Sequence, residues 1–170
     1  MTRPQRALLF LDVDGTLIPF GRNEIGNEIG NDFGEAFDAA LDEDDNPLLA
    51  RLNLGHGWRL ITLRCELVWA TTWMQDANDA ICPRLGLPEL PVVEWSDADP
   101  PERGLHWKTS DLVDWAAGRP FIWVDDEITD VDRAWVAAHH AGRAYLHRVD
   151  PHVGLTEADF QALESWLRGV

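Results

Sequence analysis

The chain has 170 residues, 45% of them apolar, with nine tryptophans and a formal net charge of −16. That length is enough for one domain with a full core, and that apolar content excludes global disorder. The charge disfavours non-specific binding to nucleic acid or anionic membrane, though it says little about any one face. Two cysteines, Cys65 and Cys82, are too few for a disulfide framework, so a reducing cytoplasm is the expected setting. The first six residues are basic, but the apolar run after them is interrupted by Asp12 and Asp14. Neither a signal peptide nor a membrane span is expected.

The first predicted element is the run Leu8-Leu9-Phe10-Leu11, which continues as Asp12-Val13-Asp14-Gly15-Thr16. A short continuous apolar run reads as a strand covered on both faces, as in a parallel sheet. Ligands in open parallel sheets sit beyond the carboxyl ends of the strands, which is where Asp12 and Asp14 emerge. The two-residue period points both carboxylates the same way, and Gly15 lets the chain turn sharply. Carboxylates this close repel, and a hard divalent cation such as Mg²⁺ relieves that repulsion. The competing reading is a strand end running into an Asx-Gly turn.

Residues 18–46 are polar and glycine-rich, with a near repeat, Asn23-Glu24-Ile25-Gly26 then Asn27-Glu28-Ile29-Gly30. They read as a flap, with a short helix at Phe33 to Leu41 and a solvated acidic cluster at Asp42 to Asp45. Leu48 to Leu63 suits one or two helical segments, although Arg59 to Leu63 also fits a strand. Glu66 to Ala70 is a second strand ending in Thr71-Thr72, and Trp73 to Leu85 a helix, with Thr72 as cap and Gln75 at the capping-box position. Pro91 to Trp95 is a third strand, and the loop 96–103 carries Pro100-Pro101. Trp107 to Ala117 is helical. Phe121 to Val124 is a fourth strand, followed by Asp125-Asp126-Glu127 and then Asp130 and Asp132. Thr129 to His139 is a helix, Ala144 to Val149 a fifth strand, and Thr156 opens the last helix with Asp159 at the box position. Strand and helix alternate, which argues a three-layer α/β domain.

Two strands thus end in acidic clusters, a third ends in hydroxyls, and Lys108, the chain's only lysine, starts a helix between them. Carboxylates hold a hard cation, while a hydroxyl and an ammonium bind phosphoryl oxygens. An aspartate can also carry a phosphoryl group covalently. With these motifs in this order, the chain resembles the haloacid dehalogenase-like (HAD) superfamily of phosphohydrolases, and within it small uncharacterised actinobacterial HAD-domain proteins. Asp12-Val13-Asp14-Gly15-Thr16 matches the family's DxDGT signature, Thr71 its second motif, Lys108 its third, and Asp125-Asp126 with Asp130 its fourth.

The resemblance implies a Rossmannoid five-stranded parallel sheet in the order 5-4-1-2-3 and Mg²⁺ as cofactor. Asp12 would be the nucleophile, and Asp14 the general acid and then base, its backbone carbonyl reaching the metal. Thr71 would bind the phosphoryl group, Lys108 would neutralise charge, and Asp126 would complete the metal ligands with Asp12 and Asp14. Asp125 and Asp130 would give support, with Gly15 and Thr72 beside the substrate. The choice between Asp125 and Asp126 as direct ligand stays open, as does that between Thr71 and Thr72. Asp14 disfavours dehalogenation, and the DxDGT form disfavours a phosphorylation-switch receiver.

Superfamily caps are inserted after the first motif or between the second and third. Only 18–46 and 96–106 are available here, so one domain, 1–170, with a minimal cap and an open site is expected. An open site suits a bulky phosphorylated substrate, such as a polynucleotide end or a phosphoprotein, although the charge weakens the former. The expected activity is phosphomonoester hydrolysis. A phosphotransferase or mutase, or a non-catalytic binding module, are the alternatives. The tryptophans beside the motifs, Trp69, Trp73 and Trp123, are expected to pack in the core rather than stack on a base.

Overall fold

The structure, a computed structural model, describes residues 5–21 and 46–170. Its centre is β1, Leu8–Leu11, buried at every position. On one side β1 pairs in parallel with β2, Glu66–Trp69, in the register Leu11↔Trp69. On the other it pairs in parallel with β3, Phe121–Asp125, in the register Leu11↔Val124. Strand β4, Ala144–Arg148, is parallel to β3, giving the order β2-β1-β3-β4. The registers align the carboxyl ends, so the residues after Leu11, Trp69 and Val124 reach one edge of the sheet together.

Because successive side chains point to opposite faces, the sheet builds two cores. Leu9, Leu11, Trp69, Ile122 and Val124 face one. It is covered by helices α1 (Gly55–Thr62), α2 (Asp76–Ala80), α3 (Cys82–Leu85) and α6 (Glu157–Leu167), through Leu60, Ala77, Ile81, Leu85, Phe160 and Leu163. Leu8, Phe10, Val68, Phe121 and Trp123 face the other, under α4 (Thr109–Ala116) and α5 (Asp130–His139). This is the three-layer arrangement expected. Gly57 lets α1 approach α3 closely: a Cβ there would lie 1.8 Å from the Leu85 carbonyl oxygen.

Among the described residues the sheet has four strands, not five. The expected third strand, Pro91 to Trp95, contracts to one parallel bridge, Trp69↔Val92. It does lie beyond β2, where the expected order puts it. Trp69 N donates to the Pro91 carbonyl at 2.8 Å, and Val93 N donates to the Trp69 carbonyl at 2.9 Å. Pro91 has no N–H to extend that ladder.

The segment from Trp73 to Leu85 is likewise not one helix. Met74 has φ 50°, in the left-handed region, so helix begins only at Asp76. The N-cap of α2 is Gln75 without a side-chain bond, so the expected Thr72–Gln75 box does not form. Pro83, near the start of α3, marks the second break. The expected box on the last helix does form, with Thr156 N donating to Asp159 Oδ2 at 2.7 Å, and α5 carries one that was not expected, with Thr129 N donating to Asp132 Oδ2 at 2.8 Å.

The expected flap lies, from residue 22 to residue 45, outside the described residues, and with it the helix at Phe33 to Leu41. The segment 48–63 forms a 3₁₀ turn, Pro47–Arg51, and then α1, so Arg59 to Leu63 is not a strand. Among the described residues no helix is long and apolar enough to cross a membrane.

Candidate active site

Asp12 follows β1 directly, and its backbone N–H still donates to the Val124 carbonyl at 3.1 Å. Asp125 is the last residue of β3, so the two carboxylates project side by side. Between them lies Lys108, just before α4. Its Nζ donates to Asp12 Oδ1 and to Asp125 Oδ2, both at 2.8 Å, and all three side chains are buried.

With both carboxylates ionised, the single ammonium would leave this cluster a net negative charge. Burial, reinforced by the charge of Asp125, pushes the Asp12 carboxyl up to about 8 against the pull of Lys108. Burial alone would lower Lys108, but the two carboxylates hold its ammonium above the ordinary lysine value. The Asp126 carboxyl is pushed up to about 6, first by burial and then by Asp125.

Carboxylate oxygens of Asp12, Asp125 and Asp126 lie within 4.8 Å of one another. They are hard oxygen donors with excess negative charge, and they fit a small divalent cation. Gly15 makes room for this cradle. It sits at φ 76°, and a Cβ there would lie 2.6 Å from Asp126 Oδ2. Asp125 is engaged at both oxygens, by Lys108 and Trp123 Nε1 (3.2 Å) at Oδ2 and by the Glu127 N–H (3.0 Å) at Oδ1.

Asp14 stands apart from the three-carboxylate group. Its Oδ2 accepts from Trp73 Nε1 at 3.1 Å. Thr71 follows β2, held by the Ala70 N–H donating to the Leu11 carbonyl at 2.9 Å, and is fully buried. Its Oγ1 accepts from the Trp73 N–H at 3.1 Å, and its carbonyl accepts from Trp95 Nε1 at 3.2 Å. The Thr71 hydroxyl hydrogen is committed to none of the described residues, so it can be donated. Thr72 is exposed.

Asp130 is not brought to the cluster: its carboxylate is exposed and pairs with Arg133 at 2.9 Å. The acid that braces the lysine is Asp132, two residues later and fully buried. Its Oδ1 accepts from the His106 N–H and from Thr109 Oγ1, both at 2.8 Å, and its Oδ2 from Thr129 N at 2.8 Å and Thr129 Oγ1 at 2.9 Å. These bonds hold its carboxyl below the usual range even though burial opposes them. Asp132 therefore clamps residues 106–109, which carry Lys108, to the start of α5. The Thr129–Asp132 spacing was the available signal for it.

His106 adds to this brace. Its Nδ1 accepts from the Lys108 N–H at 3.1 Å, which leaves Nε2 to donate to Glu127 at 2.9 Å.

The site as a whole combines a buried carboxylate gripped by an ammonium, a second carboxylate two residues on, a free hydroxyl and a cation cradle. That set can stabilise and transfer a phosphoryl group. The family described as "HAD domain in Swiss Army Knife RNA repair proteins" matches residues 8–160. No curated protein and no solved structure matches the chain. The family match spans every one of these site residues and most of the chain, and the protein belongs to this family of HAD domains.

Proposed function

We propose that the protein is a Mg²⁺-dependent phosphomonoesterase that works through an aspartyl-phosphate on Asp12. The observation that carries this reading is the buried bridge of Lys108 Nζ, 2.8 Å from both Asp12 and Asp125. An ammonium there opposes the burial that favours the protonated Asp12 carboxyl, and it faces the incoming phosphoryl oxygens.

Asp12 attacks phosphorus in line with the ester oxygen, the ester P–O bond breaks, and an acyl phosphate forms. Asp14 gives its proton to the departing oxygen, then takes one from the water that cleaves the acyl phosphate. Trp73, donating to Asp14 Oδ2, fixes that carboxylate's direction. Thr71 donates to a phosphoryl oxygen, and Lys108 offsets the charge that gathers on the group. Asp12 and Asp126 would hold the metal, since Asp125 is already engaged at both oxygens, and the backbone carbonyl of Asp14 would join them as the HAD resemblance implies. Mg²⁺ bound there supplies positive charge to the transferring group.

The family's association with RNA repair favours the phosphorylated end of an RNA as substrate. The net charge of −16 suits recognition of one terminal nucleotide better than contact along a polyanion. The chain acts as one catalytic domain in this reading, in a reducing compartment that suits its free Cys65 and Cys82.

Hydrolysis of p-nitrophenyl phosphate and of β-glycerophosphate, with Mg²⁺ and with EDTA, tests the activity. Metal-dependent turnover that disappears in Asp12→Asn is expected. Undiminished turnover in Asp12→Asn would remove the mechanism.

A further inference from the structure

Rings crowd the surroundings of Lys108, and all but one of the tryptophans there are anchored inward. Trp73 donates its indole N–H to Asp14 Oδ2, Trp95 to the Thr71 carbonyl and Trp123 to Asp125 Oδ2. Trp107 differs: its Nε1 donates to none of the described residues, and it is 40% exposed. Its ring is nonetheless held in place. It meets Trp95 edge to face at 4.9 Å and stacks with His106 at 5.5 Å. His106 is itself pinned by the Lys108 N–H and Glu127. Lys108 Nζ, which grips Asp12, lies 5.5 Å from the Trp107 centroid.

Core packing explains the three inward rings. It does not explain a rigid, open indole beside the ammonium of a phosphoryl site. A fixed aromatic surface costs little ordering entropy when a planar group settles on it, and every nucleobase has such a face. In a phosphorylated terminal nucleotide one ribose separates phosphate from base, so a phosphate at Asp12 carries its base into this neighbourhood. With an overall charge of −16, the chain has few cations to spare for more distant phosphates.

The geometry points to Trp107 as a stacking platform for the nucleobase of the terminal nucleotide whose phosphate is presented to Asp12. This rests on the phosphohydrolase reading for the position of the phosphate. The platform reads the presence of a base, not its identity, because stacking tolerates every base.

The test uses the intact protein with Mg²⁺ and two short single-stranded RNAs of one sequence. Both end in a non-hydrolysable methylene phosphonate; one terminal nucleotide carries its base and the other is abasic. Affinities are read by fluorescence anisotropy. The base-bearing end is expected to bind at least about tenfold more tightly. Trp107→Ala should erase that ratio, while Trp107→Phe should keep most of it. Equal affinity for the two ends, no measurable binding of either, or a ratio that survives Trp107→Ala would overturn the platform. Because nothing is turned over, the outcome is separable from the activity. A Trp107-dependent base preference with no hydrolysis of any phosphomonoester would remove the phosphohydrolase reading and leave the platform standing. Metal-dependent hydrolysis without a base preference would do the reverse.

Discussion

Trp73 Nε1 donates to Asp14 Oδ2 at 3.1 Å, so an indole from the turn after β2 holds the carboxylate two residues beyond Asp12. The same residue's backbone N–H donates to Thr71 Oγ1 at 3.1 Å. One residue thus orients both the Asp14 carboxylate and the Thr71 hydroxyl. Trp73→Phe keeps an aromatic ring and the backbone but deletes the indole donor along with the pyrrole half of the ring system. A hydrogen bond to a charged group is worth about 1.5–3 kcal/mol, so kcat is expected to fall about tenfold or more with KM little changed. Steady-state kinetics on β-glycerophosphate check this; an unchanged kcat would mean that Asp14 needs no such anchor.

Lys108 is the only cation among the described residues that touches both Asp12 and Asp125. Lys108→Met leaves two buried carboxylates without their partner, which is expected to cost about 3–5 kcal/mol. At about 2–4 °C per kcal/mol for a chain of this size, the melting temperature should fall by roughly 10 °C. Turnover should drop at least about a hundredfold. Thermal melts and p-nitrophenyl phosphate kinetics on the same preparation check both.

The acidic cradle should make stability depend on pH in a metal-dependent way. Burial pushes Asp12 up to about 8 and Asp126 up to about 6, with Asp125 adding to both, against about 3.9 in the unfolded chain. Between those values the folded chain holds protons that the unfolded chain has released. The contribution of these two groups is therefore complete below about pH 4 and is lost as pH rises through 6 and then 8. His56, lowered chiefly by burial, acts in the opposite sense near its own titration, but equally with or without metal. The gain in melting temperature from Mg²⁺ over EDTA should therefore grow from pH 5 to pH 8. A gain that shrinks over that range would contradict the cradle.

Asp132 and Asp130 should separate cleanly. Asp132→Asn weakens four bonds at a buried position and is expected to cost about 2–3 kcal/mol. Asp130→Asn removes an exposed pair with Arg133 and should stay within about 0.5 kcal/mol. Urea denaturation of the two variants beside the wild type reads the difference.

Much of this was legible in the sequence because it is local. Leu8 to Leu11 announces a doubly covered strand, and the residues after it carry their own chemistry. The capping box at Thr156 is a fixed spacing. What escaped was set by distant partners or by backbone. Pro91 withholds the N–H that a full third strand needs, and Met74 at φ 50° delays a helix that side-chain periodicity would start at Trp73. The spacing from Thr129 marks Asp132 as a cap partner, but nothing along the chain marks it as the brace of Lys108. Only the fold brings His106 and Thr109, 26 and 23 residues earlier, onto Asp132. Trp73 reaches Asp14 across 59 residues, a pairing that no local spacing signals.

The covalent role proposed for Asp12 is tested most directly by trapping. Asp14→Asn protein is mixed with p-nitrophenyl phosphate, whose leaving group needs little acid help, then quenched, reduced with borohydride and digested. Peptide mass spectrometry is expected to find homoserine in place of Asp12, the product of a reduced acyl phosphate, and to find it only when substrate and Mg²⁺ are both present. Unmodified Asp12 in protein that still releases p-nitrophenol, or reduction at a different carboxylate, would contradict the account.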